Sequence, residues 1–192
     1  FIVDWSGSMD DEIAAVKIAL NRFATHFAAE EAMQWGLVIG PKEFEEDGDE
    51  YLVKVSDISP FDQFLASFAA LGSEGMDTGN EMLLDAVYLS VQNISGNANV
   101  DIAATEWFSD TGSRPAKENF GINWRPNSER IVIIFSDEVE QSFLKHVDPA
   151  ILGQPITKNI VENTVRAGIN LKVYAFSTGA FGGRPDFWTD IT

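Results

Sequence analysis

The sequence contains no cysteine, and histidine occurs only twice among its 192 residues. Without cysteine, the chain can form neither a disulfide framework nor a thiolate metal site. His26 and His146 lack the close spacing of paired metal ligands. Neither histidine stands in triad order with a serine and an acid, which argues against a serine hydrolase. Any metal site in this chain is therefore expected to use oxygen ligands.

Basic residues are also scarce, since 13 lysines and arginines face 30 acidic residues and the formal net charge is -17. Such a surface repels nucleic acid and anionic membranes, and it favours multivalent cations and basic partner surfaces. No apolar run approaches the roughly 20 residues that span a bilayer, and no positively charged leader precedes Phe1. We therefore expect no nucleic-acid binding and no membrane insertion by this segment.

Apolar periodicity and turn residues predict an α/β fold in one domain, 1–192. The predicted helices are 10–30, 61–71, 80–91 and 158–167, and the predicted strands are a run ending at Asp4, 33–39, 50–58, 131–135 and 171–176. Strands that alternate with helices indicate a mostly parallel central sheet covered on both faces. The alternating segment 50–58 is typical of an antiparallel edge strand. Because Phe1 lies directly in an apolar run, we expect the domain to belong to a larger multidomain protein.

Segment 92–130 is too long for an ordinary connection and is rich in Asn, Asp, Ser, Gly and Pro, so we predict an insertion. It joins the end of a helix to the start of a strand, which places its anchors away from the carboxyl ends of the strands. Segments 138–157 and 178–188 instead follow strands. They are therefore expected to be partner-selecting loops near the site.

Asp4, Ser6 and Ser8 follow the first strand with a spacing of two residues. One carboxylate and two hydroxyls in such a loop can converge on a hard cation such as Mg²⁺, Mn²⁺ or Ca²⁺. Because parallel strands end at one edge of a sheet, Asp137 and the turn before the 80–91 helix should meet this loop. The alternative is an ordinary strand-to-helix turn, in which the hydroxyls cap the helix and Ser8 and Asp11 have capping-box spacing.

The order of motifs resembles the von Willebrand factor A domain family, and most closely the metal-binding I-like domain of integrin β subunits. The resemblance covers nearly the whole chain and is carried by these segments: Asp4-Trp5-Ser6-Gly7-Ser8, the acids Asp10, Asp11 and Glu12, Glu81-Met82-Leu83-Leu84-Asp85-Ala86, Ile122-Asn123-Trp124-Arg125, and Ile131 to Phe135 with Ser136-Asp137. It implies a Rossmann-like, mostly parallel sheet with helices on both faces. The chain departs from the family in lacking the disulfides of the known integrin domains. The final strand and helix that family members usually have are not found before Thr192.

The resemblance implies a metal-ion-dependent adhesion site that holds Mg²⁺ or Mn²⁺ and keeps one coordination position open. It assigns these metal ligands: Asp4, Ser6, Ser8, Asp137 and Glu81. Glu81 matches the integrin β pattern, in which a glutamate stands four residues before an Asp-Ala pair. The commoner family pattern is Gly-Gly-Thr-x-Thr-Gly, and its end aligns with Thr78-Gly79 of this chain. This alignment makes Thr78 the alternative to Glu81 as the third-segment ligand, but it puts Met76 where the family has a ligand threonine. We favour Glu81 over Thr78.

A second, Ca²⁺-preferring site is implied beside the first, formed by the Ser8 carbonyl with the carboxylates of Asp11 and Glu12. The family has an aspartate where this chain has Glu12. Both acids are equally consistent with ordinary first-turn residues favoured by the helix dipole. Trp5 lies within the metal loop, where it is either an exposed contact for a partner or an aromatic packed against a neighbouring segment.

These observations predict a cation-dependent adhesion or protein-binding module without catalysis, at the cell surface or outside the cell. Its partner would be a protein that presents an Asp or Glu carboxylate to the metal. One alternative is an intracellular scaffold subunit that works with an ATPase chaperone or chelatase. The other is an Mg-dependent phosphatase. Phosphatase chemistry needs a second acid two residues after the nucleophilic aspartate, and that position holds Ser6, so this alternative is less favoured.

Overall fold

The computed structural model describes residues 1–27, 32–43, 50–72, 83–91, 94, 122–137 and 158–177. Its strands are β1 (Ile2–Asp4), β2 (Trp35–Glu43), β3 (Glu50–Ser59), β4 (Arg130–Ser136) and β5 (Leu171–Ser177). Its α-helices are α1 (Asp10–His26), α2 (Phe61–Ala69), α3 (Leu83–Val91) and α4 (Lys158–Ala167), and a single 3₁₀ turn (Gly7–Met9) joins β1 to α1.

The five strands form one mixed sheet in the order β3-β2-β1-β4-β5. β1 runs parallel to both β2 and β4, and β4 runs parallel to β5. β2 and β3 are antiparallel, which confirms the prediction of a mostly parallel α/β sheet with one antiparallel edge strand. Because β1 and β4 are parallel neighbours, their carboxyl ends lie side by side. Asp4, the last residue of β1, and Asp137, the residue after β4, therefore lie at the same edge of the sheet.

Apolar side chains pack on both faces of this sheet, as strand alternation requires. Val3 belongs to a cluster with Ile13 of α1 and Phe64 of α2 on one face. Its neighbour Ile2 belongs to a second cluster on the other face, with residues of α3 and α4 such as Val87 and Val161. The sheet is therefore covered by helices on both sides. None of the helices in the described part of the chain combines the length and apolarity needed to cross a membrane.

Helix α1 follows the apolar stripe that its sequence predicts, with Ile13, Val16 and Leu20 buried against the sheet. Its start differs from the expectation of a capping box. Met9 is the N-cap residue and makes no side-chain capping bond. The Ser8 hydroxyl instead donates to a carboxylate oxygen of Asp137, 3.0 Å away, so it is committed to a distant strand rather than to its own helix.

The end of the predicted insertion that the structure describes lies at the opposite edge of the sheet from Asp4. The backbone N–H of Asn123 donates to Asp57 near the end of β3, and the Trp124 indole donates to the carbonyl of Ser90 in α3 at 2.7 Å. Because β3 is antiparallel to β2, its end lies beside the start of β2. Residues 95–121 and the loops 138–157 and 178–188 lie outside the described residues.

Lys17 of α1 connects its own helix to the end of α2 and to the loop that follows β1. Its Nζ donates to the carbonyls of Leu71 and Gly72, at 2.6 and 2.9 Å. The same nitrogen lies 6.0 Å from the ring centroid of Trp5 and 5.6 Å from that of Phe68. Burial lowers the pKa of Lys17, yet its contacts favour the charged form.

Replacing Lys17 by methionine keeps most of the apolar stem but removes the ammonium, so the two carbonyls after α2 lose their donor. We expect the free energy of unfolding to fall by about 1–2 kcal/mol, from the lost hydrogen bonds and cation–π contacts. Urea unfolding followed by circular dichroism measures this. Arg22→Met, at an exposed position of the same helix, is the matched control and should change stability by less than about 0.5 kcal/mol. Equal losses in both variants would contradict the assigned role of Lys17.

Candidate metal centre

Asp4 ends the buried strand β1, and its side chain is fully buried. Its Oδ1 accepts hydrogen bonds from the backbone N–H of Ser6 at 3.0 Å and from the Ser6 hydroxyl at 2.7 Å. Ser6 has extended backbone angles and leads into the 3₁₀ turn, which brings Ser8 beside it. The hydroxyl oxygens of Ser6 and Ser8 are 3.0 Å apart. The local sequence thus folds its three predicted ligands into one compact loop.

Asp137 joins this loop from the end of β4, more than a hundred residues away in sequence. The Ser8 hydroxyl donates to Asp137 Oδ1 at 3.0 Å, which completes a chain of polar contacts from Asp4 through Ser6 and Ser8 to Asp137. The structure therefore brings together four of the predicted site residues. Asp137 is almost completely buried, with 1% of its surface exposed.

Ser136 is a further member of the site that sequence reasoning did not assign. Its hydroxyl donates to Asp4 Oδ2 at 2.7 Å, so it orients the carboxylate from the side opposite Ser6. Ser136 is the last residue of β4, and its side chain is buried. The sequence did contain a signal for this role, since Ser136 is a polar residue that ends an apolar strand and directly precedes the predicted ligand Asp137.

The Asp4 carboxylate lies in an environment that disfavours its negative charge. Burial raises the pKa of Asp4 to about 6, and the negative charge of Asp137 adds to this rise. The hydrogen bonds from Ser136 and Ser6 act in the opposite direction, because they stabilise the ionised form. Neither carboxylate forms a salt bridge with a lysine, arginine or histidine of the described residues.

Asp137 Oδ2 is buried and has no hydrogen-bond partner among the residues that the structure describes. A buried carboxylate oxygen without a partner is costly, because it has lost water and gained nothing in return. Two adjacent acids, two hydroxyls and one unpartnered oxygen match the oxygen ligands that hard divalent cations prefer. The residues present therefore fit a divalent cation, which would neutralise the carboxylates and give Asp137 Oδ2 a partner.

The third predicted segment is only partly described. Glu81 and its alternative Thr78 both lie outside the described residues, as does Met76. The helix that follows, α3, packs against β1 and β2, and its Asp85 is fully buried. Within the described residues, no three side chains of Asp, Glu, His or Cys form a cluster. The described part of the centre therefore consists of two carboxylates and serine hydroxyls.

The acids predicted for a second cation lie on the first turn of α1. Asp11 is exposed and Glu12 is half-buried, and they follow the 3₁₀ turn that contains Ser8. No hydrogen bond joins either carboxylate to Ser8 in the described part of the chain. Their placement agrees with acids at the positive end of a helix dipole, and binding of Ca²⁺ there stays a prediction.

Trp5 is not an exposed partner contact, because only 4% of its surface is accessible. Its indole belongs to the apolar cluster beneath α1, together with Met9 and Ile13, and its backbone N–H donates to the carbonyl of Gly40 at 3.0 Å. The physical reason is strand alternation, since Trp5 follows Val3 by two residues and lies on the same face of the sheet. Of the two interpretations of Trp5, packing against a neighbouring element is the correct one.

Comparison of the sequence with profiles of known protein families gives no match, and comparison with curated protein sequences gives none either. The geometry of the site therefore has to support any functional conclusion by itself.

Proposed function

We propose that the chain is a von Willebrand A-type domain, similar to the integrin β I-like domain, that binds a partner protein through a divalent cation. Asp4, Ser6, Ser8 and Asp137 would hold Mg²⁺ or Mn²⁺ at the carboxyl edge of the sheet. The observation that carries the proposal is the buried, unpartnered Oδ2 of Asp137 beside a second buried carboxylate. A bound cation explains why two buried carboxylates, Asp4 and Asp137, lie side by side. The alternative, a strand-to-helix turn with capping hydroxyls, gives no reason for Asp137 to be at this site.

The cation would retain part of its charge, because two of its ligands are neutral hydroxyls. An incompletely neutralised cation with an open coordination position attracts a carboxylate from outside. A third-segment ligand, Glu81 or Thr78, completes the proposed site. Glu81 would add negative charge and weaken this attraction, and Thr78 would not. Ca²⁺ bound by the Ser8 carbonyl, Asp11 and Glu12 would add positive charge beside the first ion.

Binding rather than catalysis is proposed because the position that a phosphatase needs for its proton donor holds Ser6. That hydroxyl is fully buried and donates to Asp4 Oδ1 at 2.7 Å. A hydroxyl has a much higher pKa than the carboxylic acid that this chemistry uses, so it is a poor general acid near neutral pH. The acidic surface, at a net charge of -17, favours a cell-surface or extracellular setting rich in divalent cations.

Calorimetric titration of Mg²⁺, Mn²⁺ and Ca²⁺ into the purified chain tests the proposal. We expect saturable binding with a dissociation constant on the order of 10⁻⁴ M, as for an oxygen-ligand site with few carboxylates. Glu81→Ala should weaken binding about tenfold or more if the integrin β pattern applies, and Thr78→Ala should do so if the commoner pattern applies. Asp62→Asn, an exposed acid of α2, is the matched control and should bind normally.

The open coordination position is tested on the Mn²⁺-loaded protein with acetate as the probe. Bound Mn²⁺ should enhance the relaxation of water protons, and acetate should reduce this enhancement as it displaces the water. Absence of binding by all three cations at millimolar concentration would exclude the metal centre. Metal binding without any effect of acetate would leave the centre in place but exclude the capture of a carboxylate.

A further inference from the structure

A cavity of about 410 Å³ opens at the amino edge of the parallel strands, the opposite edge from Asp4. Its walls come from the starts of β1, β2 and β4, from the end of α3 and from residues 122–125. The apolar lining includes Trp35, Trp124 and Ile131, and Ile131 is 44% exposed. Small-molecule sites are concave, mostly apolar and roughly 300–1,000 Å³, so this cavity has the size of such a site.

The lining also contains the buried side chain of Ser90, which is 3% exposed. Its Oγ forms no hydrogen bond within the described part of the chain. Its backbone carbonyl accepts a hydrogen bond from the Trp124 indole, which also lines the cavity. Buried polar side-chain atoms without a hydrogen-bond partner are rare in folded proteins. A polar atom of a bound ligand would supply the missing partner.

The lining of the cavity contains one arginine, Arg125, and one acid, Glu129, among the described residues. Arg125 is exposed, lines the cavity and donates to the carbonyl of Ala32, but it forms no salt bridge with an acid of the described residues. Glu129, the acid in the lining, has its carboxylate 3.8 Å from the ammonium of Lys172. Among the residues that the structure describes, the Arg125 guanidinium therefore has no acidic partner, in a chain of net charge -17.

We propose that this cavity binds a free small molecule with an apolar body and a carboxylate head group. The body would lie against Trp35, Trp124 and Ile131. The head group would bind the Arg125 guanidinium, which forms strong, paired hydrogen bonds with a carboxylate, and would reach the Ser90 hydroxyl of the same lining. The site is separate from the metal centre and does not rest on the proposed function.

Decanoate is a suitable probe, and decanol is its uncharged counterpart. Binding to the full chain is followed by calorimetry and by tryptophan fluorescence, since two tryptophans line the cavity. We expect saturable binding of one decanoate and at least tenfold weaker binding of decanol. Arg125→Gln should weaken decanoate binding about tenfold while leaving decanol unchanged. Chelation of divalent cations should have no effect, because the cavity lies at the opposite edge of the sheet.

Arg22→Gln, which removes an exposed arginine of α1 outside the cavity, is the charge-matched control and should bind decanoate normally. Ser90→Ala provides a second variant that leaves Arg125 in place, and it should weaken decanoate binding several-fold. Urea unfolding of each variant shows that it is folded under the conditions of the titration. The proposal is overturned if decanoate binding does not saturate, if decanol binds equally well, or if folded Arg125→Gln binds decanoate with unchanged affinity.

Discussion

Asp4→Asn is expected to abolish binding of divalent cations and, at the same time, to stabilise the metal-free protein. Asparagine keeps the shape of the side chain and a carbonyl oxygen for the two bonds from Ser6, but it removes the negative charge. Burial raises the pKa of Asp4 from 3.8 to about 6, so ionised Asp4 opposes folding in the absence of metal. At about 1.4 kcal/mol per pKa unit, relief from this charge is worth at most about 3 kcal/mol at neutral pH.

The two effects of Asp4→Asn have opposite signs and are measured together by urea unfolding with Mg²⁺ and with a chelator. The wild type should gain stability from Mg²⁺ by mass action, whereas the variant should be more stable without metal and gain nothing from it. We expect the affinity for Mg²⁺ to fall at least 100-fold. Asp62→Asn removes an exposed acid and should behave as the wild type in both conditions. Retention of Mg²⁺ affinity in Asp4→Asn, or a loss of metal-free stability, would contradict the assignment.

The metal-free protein is expected to become more stable as the pH falls from 7 towards 4, and saturating Mg²⁺ should reverse this trend. The folded-state pKa of Asp4, about 6, lies above the ordinary aspartate value of 3.8. Between these two values the folded protein binds more protons than the unfolded chain, so acidification favours folding by up to about 3 kcal/mol. With Mg²⁺ bound, protons compete with the cation for Asp4, so acidification removes the stabilisation that the metal contributes.

Other groups also make stability depend on pH, and the comparison with Asp4→Asn separates them. Relief of the general negative charge favours the folded protein on acidification. This contribution is shared by the variant and cancels in the difference. Identical pH profiles of wild type and Asp4→Asn without metal would show that Asp4 has no raised pKa.

The elements of the fold follow closely from local sequence patterns. The helix predicted at 158–167 has the bounds of α4, because its amphipathic stripe ends at Gly168, a residue that favours the end of a helix. The strand predicted at 50–58 is β3, because alternation of apolar and polar residues is typical of a strand with one buried face. Such patterns act over a few residues, which is why a single sequence reveals them.

Contacts between distant segments were predicted less completely. Parallel topology correctly brought Asp137 to the loop of Asp4, since strand ends in such a sheet share an edge. The alternative role of Ser8 as a helix cap is not observed, because its hydroxyl donates to Asp137, a stronger acceptor. No local pattern distinguishes these two partners. The family resemblance and the third ligand, Glu81 or Thr78, stay predictions.

The sequence by itself determined which segments form helices and strands and which oxygen-bearing side chains follow β1 and β4. Only the tertiary structure decided that Asp4 and Asp137 share a buried site, that Ser136 orients Asp4, and that Trp5 packs beneath α1. It also decided that Ser90 and Arg125 line one cavity at the far edge of the sheet. The reason is physical: helix and strand formation depends on neighbouring residues, whereas burial, charge repulsion and unpartnered atoms arise when remote segments pack together.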